Sequence, residues 1–106
     1  MTLKEPEIRE MVDRILGVSN PSRIILFGSA ASGKVSEDSD VDLLVVMKEI
    51  EDRQGEYVRI RRALSEFPYA FDIILVSEEW FEQSKNVVGG ISYPANHHGR
   101  VIYEAA

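Results

Sequence analysis

Three aspartates and a Gly-Ser pair carry the chemistry legible in this chain. Asp40 and Asp42 stand two residues apart at the head of the apolar run VDLLVVM, and Gly28-Ser29 closes the earlier run RIILF. In a strand, side chains at i and i+2 point to one side, so two carboxylates spaced this way can converge on one ligand. Hard divalent cations take oxygen ligands, and magnesium is commonly held by a few carboxylates together with substrate phosphates and water. A glycine just past a strand lets the backbone turn tightly, so that N–H groups and a serine hydroxyl can meet phosphate oxygens. The third acid, Asp72, interrupts the strand-forming run YAFDIILVS. Aspartate is depleted in strands and costly when buried without a partner, so its position there asks for an explanation. A solvated acidic turn, SEDSD, an ordinary strand-ending Gly-Ser and a hydrogen-bonded structural Asp72 account for the same residues one at a time. Taken together, the three acids form a candidate two-metal carboxylate site.

These residues need elements to hold them. Thr2 with Glu5 reads as a capping box, followed by Ile8, Met11, Val12, Ile15 and Leu16 at helical spacing as far as Gly17. RIILF and VDLLVVM are continuous apolar runs, the pattern of strands covered on both faces. Tyr57, Ile60, Ala63, Leu64 and Phe67 make a second helical face that Pro68 closes, with Arg59, Arg61 and Arg62 turned to solvent. AFDIILV is a third strand, and Ser77 caps a helix with Glu78 and Glu79 in its first turn and Trp80, Phe81, Ser84, Val87 and Val88 on its inner face. Gly89-Gly90 ends that helix, the SYPANHHG loop follows, and RVIYE reads as an edge strand. Trp80 and the methionines are assigned to the core, and His97-His98 to a solvated loop. The expected class is α/β, a mixed β-sheet with flanking helices, in a single domain over 1–106.

Composition narrows the function. With 18 acidic and 12 basic side chains the formal charge is −6, the wrong sign for sequence-independent binding of nucleic acid. No cysteine is present, which removes thiolate nucleophiles and cysteine-ligated metals. The start MTLKEPEIRE lacks the layout of a signal peptide, and no window is apolar for long enough to cross a bilayer. A cytoplasmic protein without membrane or direct nucleic-acid contact is expected.

The order Gly28-Ser29, Asp40-Val41-Asp42 and then an acid in a third strand resembles the nucleotidyltransferase superfamily typified by DNA polymerase beta. Within it, the short length and the ending GRVIYE look most like the minimal nucleotidyltransferases (MNT) found as antitoxins beside HEPN-domain toxins. The resemblance implies the polymerase beta-like nucleotidyltransferase fold. It further implies that Asp40 and Asp42 bind two Mg2+ ions, that Asp72 completes the metal and catalytic site, and that Gly28 and Ser29 hold the triphosphate of ATP. Ala30, Ala31 and Ser32 stand where many minimal nucleotidyltransferases carry arginines, and Lys34 is the cation of the same loop that can compensate. The implied function is adenylylation of a tyrosine hydroxyl on a partner HEPN toxin, with release of pyrophosphate. An antitoxin acting by binding alone, or a small-molecule nucleotidyltransferase subunit working with a separate substrate-binding protein, are the alternatives.

Overall fold

The computed structural model describes residues 3–28, 40–84 and 99–105. Seven elements follow one another: α1 (Glu5–Leu16), β1 (Arg23–Phe27), β2 (Asp40–Met47), α2 (Arg53–Ala63), β3 (Ala70–Ser77), α3 (Glu78–Ser84) and β4 (Arg100–Glu104). The four strands form one mixed sheet in the order β3-β2-β1-β4, in which β1 runs antiparallel to both β2 and β4 while β2 and β3 are parallel. A small α/β architecture with a mixed sheet is therefore what the apolar runs build.

Strand alternation divides the core in two. Ile24, Leu26, Leu43, Val45, Ile73 and Leu75 face α1 and α2, meeting Ile8, Met11 and Ile15 of α1 and Ile60 of α2. Ile25, Phe27, Leu44, Val46 and Val76 face the other way, where Phe81 of α3 packs on them. RIILF and VDLLVVM are continuous because both of their faces are covered. Among the described residues RVIYE is an edge strand, as expected.

Local chemistry moved several boundaries. Thr2 lies outside the described residues, and the helix start is made instead by Glu7, whose Oε1 accepts the Lys4 backbone N–H at 3.3 Å. Pro6 fits the first turn, where its missing N–H would have no intrahelical partner. Helix α2 begins on Asp52, which accepts the Gly55 N–H at 3.1 Å, and stops at Ala63, before Pro68 is reached. There Ser65 Oγ donates to the Arg62 carbonyl at 2.8 Å, satisfying one of the groups a helix end leaves open.

Two residues assigned to inner faces are exposed: Tyr57 at 37% and Trp80 at 41%. Both follow from where the helices sit. Helix α2 lies against the border strand β3, so only Ile60 and then Leu64 point inward, and Tyr57 lies outside under the Arg61 guanidinium, 5.9 Å from its ring centre. On α3 the neighbouring residue Phe81 takes the single inward direction, and successive helical residues diverge by about 100°. Met11 and Met47 are buried as expected. Val87, Val88, Gly89-Gly90 and His97-His98 lie outside the described residues.

Candidate active site

Sheet topology brings the end of β1 to the starts of β2 and β3. Because β1 and β2 are antiparallel, Phe27, the last residue of β1, sits opposite Asp42; because β2 and β3 are parallel, Asp42 sits opposite Asp72. Neighbouring strands lie about 4.8 Å apart, so these two carboxylates belong to adjacent positions on one face. Like charges placed directly opposite on a sheet destabilise it unless something cationic intervenes. That face is the one α3 covers, but Phe81 packs beside Val46 and Val76, at the far ends of the strands. At the near ends, among the described residues, nothing buries Asp72.

Asp72 is exposed, which corrects the burial expected from its apolar run. At the start of β3 only the α1/α2 face is buried: Phe71 and Ile73 are inside while Ala70 and Asp72 are outside. What singles Asp72 out is its register with Asp42, not desolvation. Asp40 begins β2, two residues before Asp42 and opposite Ala70, and is described here by its backbone.

Gly28 is where the turn requires a glycine. Its φ is +68°, in the left-handed region, and a Cβ built on it would lie 2.3 Å from Asp42 Oδ2. The Asp42 carboxylate therefore occupies the space that a Cβ at position 28 would fill, and glycine lets it lie directly against the backbone of the turn. Ser29, Lys34 and the Ala30–Ser32 stretch lie outside the described residues.

The donor set is all oxygen, which suits Mg2+ and excludes the softer sites built from Cys or His. Among the described residues no group of three or more Asp, Glu, His or Cys side chains converges. Asp42 and Asp72 supply two carboxylates, and position 40 is the strand position from which a third would come. Protonation equilibria are disturbed elsewhere: Tyr69 is pushed up to about 12, first by its hydrogen bond to Glu7 Oε2 at 2.6 Å, then by burial.

Sequence reasoning missed two arginines. Arg53 and Arg61, with Tyr57 between them, recur every four residues along one stripe of α2, and both guanidinium groups donate to β3 carbonyls. Arg61 was expected in solvent. Its Nη1 reaches the Phe71 carbonyl at 2.8 Å instead, and Arg53 reaches that of Leu75. The i, i+4, i+8 spacing was visible, but nothing in it says that the sheet ends beside that helix.

Comparison with known proteins agrees with this geometry. Residues 6–93 match the family described as Nucleotidyltransferase domain. A Methanocaldococcus jannaschii protein named "Putative protein adenylyltransferase MJ0141" is 40% identical over 53 residues, a match spanning 50% of this chain and 52% of that protein. The chain thus corresponds to about half the length of this curated relative. A chain in the crystal structure of a mutant MntA-HpeT toxin-antitoxin superposes with a TM-score of 0.60, covering 97% of this chain and 75% of its own, at 16% identity, a likeness of fold alone. A family match over most of the chain, on a mixed sheet that sets Gly28, Asp42 and Asp72 side by side, means that this chain belongs to the nucleotidyltransferase domain family.

Proposed function

We propose that this chain transfers AMP from ATP to a tyrosine hydroxyl of a partner toxin and so acts as the antitoxin of a HEPN/MNT pair in the cytoplasm, within one domain spanning 1–106. The observation that carries the reading is the register of Asp42 with Asp72 beside a glycine whose missing side chain lets the Asp42 carboxylate lie against the backbone of the turn. Support comes also from the name of the M. jannaschii relative and from the toxin-antitoxin whose chain shares the fold. The mutant in that crystal structure carries two aspartates, two positions apart, changed to glutamate, the spacing of Asp40 and Asp42 here.

Asp40, Asp42 and Asp72 would hold two Mg2+ ions. Bound there, the ions neutralise charge on the triphosphate and on the departing pyrophosphate. The chain's own residues do the rest. Gly28 lets the backbone after β1 approach the phosphates, with Ser29 and Lys34 as their further contacts. Asp72, exposed at the open end, faces the incoming hydroxyl and accepts its proton. The tyrosine oxygen forms a bond to the α-phosphorus as the bond from that phosphorus to pyrophosphate breaks. No contact with nucleic acid or membrane is needed, and among the described residues no helix is long and apolar enough to cross a membrane.

The test is Asp72→Asn, nearly isosteric but a poor metal ligand and unable to act as a base. Incubated with ATP, Mg2+ and the toxin encoded beside it, the parent chain should raise the toxin's intact mass by whole AMP units. The variant should bind the toxin equally well yet slow the transfer by about a hundredfold or more. Protection of cells by the variant, with no mass change from either protein, would establish neutralisation by binding alone.

A further inference from the structure

Strand β3 borders the sheet, and among the described residues no strand lies beyond it. Successive residues of a strand direct their N–H and C=O groups to alternate sides. Arg53 and Arg61 reach the carbonyls of Leu75 and Phe71 from α2, so Phe71, Ile73 and Leu75 are the residues whose main chain faces outward. A groove of about 480 Å³ runs along this edge, with Ile73 and Leu75 on one wall and Arg53 and Tyr57 on the other. Open strand edges invite pairing with other chains, and covering them with charged side chains is a common defence. Here the defence is reversible, because each guanidinium is held by an uncharged carbonyl, whereas a carboxylate is a roughly twofold stronger partner.

From these facts we infer that the edge of β3 takes up an extended, acidic segment of the acceptor protein as an added strand. The role as acceptor site rests on the transfer reading above; the docking does not. Side chains of an added strand alternate between faces. Acids at i and i+4 would span roughly 13 Å on the α2 face, the separation of Phe71 from Leu75, and meet Arg61 and Arg53. An apolar residue at i+2 lies over Ile73 and Tyr57. Residues i+1 and i+3 then point to the opposite face, beside Asp72, which is the face of the carboxylate pair. A hydroxyl-bearing residue at either position is delivered to the site by main-chain pairing, with no need for a second substrate-binding domain. The charge is complementary: of the 12 basic residues in an acidic chain, Arg53, Arg59, Arg61 and Arg62 all belong to α2.

The test uses the full chain without ATP and the blocked peptide Thr-Glu-Tyr-Val-Tyr-Glu-Thr. Binding should slow amide hydrogen exchange at Phe71, Ile73 and Leu75 by about tenfold or more, leaving Asp72 and Ile74, which face β2, unchanged. A peptide with Lys in place of both Glu should bind about tenfold more weakly. The double variant Arg53→Glu, Arg61→Glu, with the parent's circular dichroism as the check that it is folded, should reverse that order. No binding at roughly millimolar peptide, equal binding of both peptides, or slowing confined to other amides would overturn the proposal. Asp72→Asn should bind the acidic peptide like the parent. If the peptide docks but never gains AMP from ATP and Mg2+, the transfer reading fails while the docking surface stands.

Discussion

At residue 28 the backbone sits at φ +68° with the Asp42 carboxylate 2.3 Å from where a side chain would begin, so two separate penalties meet any substitution. Gly28→Val adds a β-branched side chain to a left-handed residue and drives Asp42 from its place. The expected loss is about 1–3 kcal/mol in chemical denaturation, accompanied by loss of Mg2+-dependent ATP binding in calorimetry. Asp42→Ala leaves the turn untouched and removes one of two register-opposed carboxylates. Its Mg2+-dependent ATP affinity should fall by at least about tenfold, while circular dichroism remains that of the parent. Unchanged affinity in this variant would show that the aspartates do not hold the metal. The spacing of Gly28, Asp42 and Asp72 was readable from the chain alone; their adjacency was not, because it is set by one antiparallel and one parallel pairing between distant segments.

Among the elements, α2 is one that depends little on the core. Ile60 is its single buried residue, so its stability relies on its ends and on the sheet border it covers. Asp52 accepts the Gly55 N–H and starts the helix. Asp52→Ala should cost about 1 kcal/mol by denaturant titration, and exchange should quicken first at the amides of the initial turn. Periodicity implies a broader apolar face for α2 than it has, since Tyr57 fits the period as well as Ile60 does. Period alone records which residues share a stripe. It does not record how far the sheet extends beneath them, and at a border strand the outer part of the stripe has nothing to cover it.

Across the whole molecule, the start of the chain is tied to its middle by a hydrogen bond as well as by charge: Tyr69, between α2 and β3, donates its hydroxyl proton to Glu7 of α1 at 2.6 Å, and Arg14 pairs with Glu66 at 2.8 Å. The bond to Glu7 and partial burial push the phenol up to about 12 from an ordinary 10.0. The native state therefore favours the protonated phenol. The stabilisation is fully present below about pH 10 and is lost as the pH rises toward about 12. Tyr69→Phe should lower stability at neutral pH by about 1 kcal/mol, the solvent-screened value of such a bond. The parent should then lose its advantage over the variant between those two pH values in paired denaturation curves. A constant difference across that range would mean that the bond to Glu7 does not hold the phenol in its protonated form.

Local chemistry was enough to locate most of the elements. Apolar runs covered on two faces specify β1 and β2, the 3–4 spacing of Ile8, Met11, Val12 and Ile15 specifies α1, and Ser77 announces α3 by accepting the Trp80 N–H at 3.1 Å. Each of these is settled within a few residues by steric and hydrogen-bonding preferences that act at short range. Strand order and direction were settled only by the tertiary structure. They place Asp42 opposite Asp72 and beneath Gly28, leave Asp72 exposed where its apolar neighbours implied burial, and set Arg53 and Arg61 against what is, among the described residues, the border strand. Such pairings join segments far apart in the chain, and their energy depends on how the faces of the whole sheet are buried, which no short stretch of sequence encodes.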